Sequence, residues 1–144
     1  MRKLFFAGLL VVLIHCGPAA KNKQSLSSIP VEFIGNFKDD YGISYTISNS
    51  KWIQHPGIVY HLVSYNSSEK YFIARNDDKN PGEAGLYSRI DVMDFQNMEP
   101  FHWGFCLTAY KAKTPEEAIA AAAADRNNPK KGCGGFPFSR MKRE

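Results

Sequence analysis

From Val31 to Lys111 apolar and polar residues alternate in short blocks divided by turn residues, the pattern of antiparallel strands. Ile34 to Lys38 opens the series, and Asp39-Asp40-Tyr41-Gly42 turns it. Ile43 to Ile47 (ISYTI) keeps strict period two and ends at Ser48-Asn49-Ser50. Lys51 to Gln54 is short and stops at His55-Pro56-Gly57. Ile58 to Asn66 is β-branched and aromatic, and Ser67-Ser68-Glu69 leads it into Lys70 to Asn76. The longest polar loop, Asp77 to Gly85, precedes Leu86 to Phe95; Phe101 to Lys111 follows, and Ser139 to Lys142 adds a last strand. Seven to eight sequential strands with short turns make a meander. The expected fold is therefore mainly β, a small antiparallel barrel or a strongly curved sheet.

One helix is marked near the C-terminus. Thr114 supplies an N-cap, Pro115 takes the first helical position, and Glu117 stands three residues after the cap, where it can complete a capping box. Ala118 to Ala124 is all alanine except Ile119, which predicts a helix whose backbone lies close against the sheet. Asp125 to Gly132 (DRNNPKKG) is rich in helix breakers and reads as a loop.

The first residues carry an address. Arg2 and Lys3 precede an 11-residue apolar stretch, Leu4 to Ile14, so residues 1–15 have the layout of an export signal peptide and are too short to span a bilayer. Leu13-Ile14-His15-Cys16 resembles the lipobox of bacterial lipoproteins. That resemblance implies cleavage before Cys16, a diacylglyceryl group on its sulfur and an amide-linked third chain. His15 stands where a small residue is usual, as spirochaete-type lipoboxes permit. The competing expectation is cleavage after Ala20, releasing a soluble secreted or periplasmic protein. Two or three acyl chains hold a protein firmly where one does not. Residues 16–30 then form the lipidated cysteine and a flexible polar tether, and residues 31–144 a single β-rich domain. Gly17, not Asp, follows the cysteine, so the resemblance points to the outer membrane of the cell envelope rather than retention at the inner one.

Composition narrows the function classes. The chain has 144 residues, 44% hydrophobic and 13% aromatic, enough for one packed domain. Its formal charge of +4 is unevenly placed: residues 16–124 carry 10 basic and 12 acidic side chains, residues 125–144 carry 6 and 2. So small and terminal an excess excludes a nucleic-acid partner. Of three cysteines, Cys16 is assigned to lipid, which leaves Cys106 and Cys133, 27 positions apart, as an expected disulfide in an oxidising compartment. A metal site lacks further soft ligands at short spacing. A Cys106–His102 nucleophile pair fails because residues four apart on a strand stand roughly 13 Å apart.

The blocks YTISNSKW, YFIARND, LYSRID, FCLTAYKAKTPEEA and GCGGFPFSRM resemble a group of small exported bacterial lipoproteins of unknown function. The likeness covers most of residues 34–142 and is most specific where FCxTAY, an Ala-rich helix and GCGGF follow in order. Val92 departs from it, standing where an aromatic is expected. The group implies no catalytic residues.

No GxSxG, HExxH, P-loop or GxGxxG occurs in the chain. Asp91 and Asp94 are expected on opposite faces of a strand as solvated polars, and Arg89 and Asp91, which share a face, in a cross-strand or same-face ion pair, worth about 0–1 kcal/mol if exposed. His61 has no evident acid partner. The loop Asn76 to Glu83 gathers oxygen donors without EF-hand spacing and reads as a turn cluster rather than a calcium site. Asn66-Ser67-Ser68 matches a glycosylation sequon, which a bacterial address makes irrelevant. Of Trp52, Tyr60, Tyr65, Tyr71, Phe72, Tyr87, Phe101, Trp103, Phe105, Tyr110, Phe136 and Phe138, most are expected to fill the barrel and a minority to line a ligand-facing patch. The sequence thus predicts a membrane-anchored lipoprotein without catalytic residues, metal or cofactor, held to the lipid bilayer by acylated Cys16 and engaging a protein partner. The alternatives are a calycin-like carrier of a small apolar ligand and an inhibitor of a cell-wall-degrading enzyme.

Overall fold

The computed structural model describes residues 29–144. The export signal, Cys16 and most of the tether lie outside the described residues. Eight strands follow one another, each antiparallel to the next: β1 (Gly35–Asp39), β2 (Ser44–Ile47), β3 (Lys51–Gln54), β4 (Ile58–Asn66), β5 (Tyr71–Asn76), β6 (Tyr87–Asp94), β7 (Trp103–Ala112) and β8 (Ser139–Arg143). β8 pairs with both β7 and β1, and the meander closes into a barrel.

Side-chain chemistry fixes each turn. Asp39, buried at the end of β1, accepts from the Tyr41 and Ile43 amides and from the Tyr45 hydroxyl, while Gly42 adopts φ +87°. Ser48 Oγ accepts from the Ser50 and Lys51 amides, and Asn66 Oδ1 from those of Ser68 and Glu69. These are side chains standing in for backbone acceptors at tight reversals. Between Leu62 and Ser64 a bulge puts Val63 in solvent and returns Tyr65 to the inside, opposite Phe72.

The interior is a stack of rings. Trp52 lies edge-on to Phe105 at 5.1 Å, Trp103 at 5.8 Å and Phe72 at 5.9 Å. Phe33, from a single 3-10 turn (Val31–Phe33), enters one end and meets Trp103 at 5.0 Å and Phe72 at 5.7 Å. Ile29 is buried with it, so the packed domain begins inside the segment the sequence assigns to a tether. Each fully buried large side chain stabilises by about 1.5–3 kcal/mol, which is why so small a barrel is filled rather than hollow. The indole N–H of Trp103 is the single buried side-chain polar atom without a hydrogen bond among the described residues, and the Phe33 and Phe37 rings lie edge-on to that indole.

The expected helix is corrected in length. α1 spans only Pro115–Ile119; Ala120 and Ala121 close its last turn, and Ala122 to Ala124 are irregular. The reason is a competing donor: Arg89 Nη1 on β6 takes the Ile119 and Ala121 carbonyls at 2.8 and 3.2 Å, which a continuing helix needs for its own next turn. The cap is also half as expected. Thr114 Oγ1 accepts from the Glu117 amide, but Glu117 Oε2 reaches past the cap to the Lys113 amide.

Candidate functional site

On the outer wall of the barrel, β6 directs Arg89 and Asp91 away from the core, and the expected same-face ion pair forms. Asp91 is not solvated, however: the two side chains are 4% and 0% exposed. Arg89 Nε and Nη2 hold the two Asp91 oxygens at 3.0 and 3.1 Å, and the Tyr71 ring lies 3.9 Å from the guanidinium carbon. Thr108 Oγ1 of β7 donates to Asp91 Oδ2. A second guanidinium comes from the breaker-rich loop: Arg126 bonds Asp91 Oδ1 and the carbonyls of Val92, Glu69 and Lys70. Residues 115–126 thereby become a lid over this face, and Asp91 is a buried anchor, not a solvated polar. Asp94 stays exposed at the strand end and pairs with Lys70.

The lid continues to the disulfide. Cys106 and Cys133 are bonded, with Cα atoms 5.5 Å apart. Gly132 is packed so closely that a Cβ there would lie 1.9 Å from the Asp125 carbonyl. Cys133 and Phe136 exchange backbone hydrogen bonds in a tight turn that leaves Phe136 73% exposed. Pro137 follows, and β8 starts only at Ser139.

One consequence is geometric. The β7–β8 ladder consists of Trp103–Met141, Gly104–Arg140 and Phe105–Ser139, whereas β7 stays paired to β6 as far as Ala112. From Leu107 to Ala112, β7 has a strand on one side only. Cavities lie along this length. One of about 200 Å³ sits at the barrel mouth between Ile58, Tyr60, Leu107 and Tyr110. Another of about 460 Å³ lies outside, between Cys106–Tyr110, Ala122–Ala124 and Phe136. Burial and the Glu83 carboxylate push the Tyr60 hydroxyl pKa up at the mouth. Tyr110, 45% exposed, and Phe136 belong to the minority of rings that lie at the surface.

No family model, curated protein or solved structure matches the chain. Its surfaces therefore speak from geometry alone.

The remaining candidates separate. His61 does have an acid partner, Asp77 Oδ2 at 2.7 Å, sixteen residues away across the β4–β5 ladder. Asp77 also accepts from the Lys79 amide, so the pair pins the loop after β5. His102 is exposed beside Glu99 and takes no part with Cys106. In the Asn76–Glu83 loop the oxygens are spent on structure: Asn80 bonds the Val59 amide and carbonyl, and Asn76 holds Ser88, the Glu83 carbonyl and the Tyr110 carbonyl. Among the described residues no group of three His, Cys, Asp or Glu side chains is placed to hold a metal, and no helix is long and apolar enough to cross a membrane.

Proposed function

We propose that the chain is an exported lipoprotein of the outer membrane, anchored through acylated Cys16, that binds another protein with the outside of its barrel and performs no catalysis. The Cys106–Cys133 bond is consistent with maturation outside the cytoplasm. The lipobox-like Leu13-Ile14-His15-Cys16 and the resemblance to small exported lipoproteins support the anchor. The observation that carries the binding role is the free length of β7 flanked by exposed Tyr110 and Phe136. Aromatic side chains at a concave, partly apolar surface are the usual anchors of protein contacts.

A carrier of apolar ligands is less well supported, although a closed eight-stranded meander is compatible with a calycin-like fold. Such sites enclose about 300–1,000 Å³, against about 200 Å³ at this mouth and a ring stack below it. Inhibition of a cell-wall-degrading enzyme would use the same outer surface and is one form of the proposed role.

Two measurements test the proposal. Cys16→Ala should move the protein from the detergent phase to the soluble fraction and abolish fatty-acid labelling; a detergent-phase Cys16→Ala protein refutes the anchor. A photoreactive phenylalanine at position 136 should give a discrete cross-linked adduct with one host protein. An adduct pattern no different from that of the same probe at exposed Val63, on another face, refutes the binding surface.

A further inference from the structure

A further cavity, of about 500 Å³, lies where the turn after β1, the loop after β6 and the segment before β8 come together. Its walls are fastened to one another and to the barrel. Asp40 Oδ1 and Oδ2 accept from the Arg140 amide and Nε at 2.9 and 2.8 Å, which ties the β1–β2 turn to β8. The Phe101 amide donates to the Met98 carbonyl and the Phe95 amide to the His102 carbonyl, closing the loop after β6. The Phe138 amide donates to the Pro129 carbonyl, and the Cys106–Cys133 bond holds the segment between those two residues. Gly104 leaves room for the wall, since a Cβ there would meet the Phe95 ring at 2.8 Å. Walls fixed in this way lose little freedom when a ligand enters.

The apolar lining is planar or soft. It consists of the Phe95 and Phe138 rings, the Pro129 and Pro137 rings and the Met98 thioether. Rings and thioethers of this kind pack against the face and edge of an aromatic ligand. Tyr41 adds a further ring, 65% exposed. The volume lies within the roughly 300–1,000 Å³ of small-molecule sites.

The free polar side chains of the cavity are all donors. Three charged residues line it, Asp40, Lys130 and Arg140, which leaves one positive charge in excess. Both Asp40 oxygens are spent on Arg140, and that carboxylate side chain is only 12% exposed. The same contact sets the Arg140 guanidinium, whose carbon stands 5.0 Å from the Phe101 ring centroid. Among the described residues neither Arg140 Nη has a hydrogen bond, and neither the Lys130 ammonium nor the Tyr41 hydroxyl has a partner. Glu99, in the loop after β6, pairs with His102 and does not line the cavity. A neutral ligand would leave these donors unmatched and a cation would be repelled. A carboxylate fits both the charge and the planar guanidinium fork.

We propose that this cavity binds a small aromatic carboxylate. The ring packs among Phe95, Phe138, Met98 and the two prolines, and the carboxylate is held by the Arg140 Nη groups and Lys130. The site is outside the barrel, so the ring stack within does not limit it. It rests neither on the edge of β7 nor on the protein contact proposed above.

The probe is naphthalene-2-carboxylate, added at neutral pH to the full chain in nonionic detergent, with naphthalene-2-carboxamide as its neutral isostere. NMR signals of Tyr41, Met98 and Lys130 should shift on addition of the acid. The amide should bind at least about tenfold more weakly, the worth of one charge-assisted hydrogen bond. Added salt should weaken the acid and leave the amide unchanged. Lys130 is exposed and bonded to no other side chain, so Lys130→Met keeps the fold. In that variant the advantage of the acid over the amide should shrink at least about threefold. Absence of binding, equal binding of acid and amide, unmoved Tyr41 and Met98 signals, or an unchanged acid-to-amide ratio in Lys130→Met each overturn the proposal.

Discussion

Asp91→Asn tests whether the outer-wall cluster holds the lid. The substitution keeps the shape of the side chain and removes its charge. Asp91 is fully buried and accepts three hydrogen bonds from two guanidiniums and one from Thr108. An amide has one acceptor oxygen and an NH2 group, so in either orientation at least one arginine N–H faces another donor. Arg89, with a side chain 4% exposed, and Arg126, at 28%, are then left without a counter-charge. Removing one member of a buried pair costs about 3–5 kcal/mol. Partial access of water to Arg126 places the expected loss near the lower end, about 3 kcal/mol, a large share of a small domain's stability. Urea unfolding of the full chain with its disulfide intact measures this, with the slope unchanged so that the midpoint shift reads as stability. Adding Arg126→Met should recover part of the loss, because it removes one of the stranded cations. A loss under about 1 kcal/mol, or strictly additive effects of the two substitutions, would refute this account of the cluster.

Two further perturbations address the other fastenings. Cys133→Ser should destabilise by about 2–4 kcal/mol and expose residues 125–138 to protease before the strands, and cleavage that begins in the strands would contradict it. The Asp77 carboxyl is held below the usual carboxylate range, first by its hydrogen bond with His61 and then by the Lys79 amide. A depressed pKa means the contribution is present above the ordinary value and fades as pH falls through the lowered one. In His61→Ala an NMR titration should find Asp77 moved upward toward the ordinary value, and an unmoved titration would show that the His61 contact does not form.

The strands were legible because their signals are local. IVYHLVSYN alternates and is bounded by Pro56-Gly57 and Ser67-Ser68, and β4 spans Ile58–Asn66 as that pattern requires. Closure needed only the last strand to return to β1. The Cys106–Cys133 bond followed from parity and compartment, without any geometry. Arg89, Asp91 and Arg126 failed for the opposite reason. Their burial comes from a loop 35 residues downstream that folds over them, and no window around RID records it. α1 failed likewise: its alanines do favour a helix, but a guanidinium from another element outbids the next helical turn for two carbonyls. Which rings would lie outside, Tyr110 and Phe136, was not legible because composition counts rings and not directions. Pro137 held the signal that would have placed Phe136 outside, since a proline cannot continue a central ladder.

That proline also explains why a binding edge can persist here without making the protein stick to itself. A long flat edge recruits copies of its own chain. This one is short, and the ladder behind it is irregular, with register shifts between Tyr87 and Arg89 and between Arg89 and Ile90 that bend β7 near Ala109. Lys111 stands within it, and on a two-fold self-pairing centred on Ala109 each Lys111 would fall opposite Leu107 of the other copy, setting a charge against an apolar neighbour. A foreign strand need not set a charge against Leu107. The features that discourage pairing with a second copy thus leave this edge to a partner of different sequence.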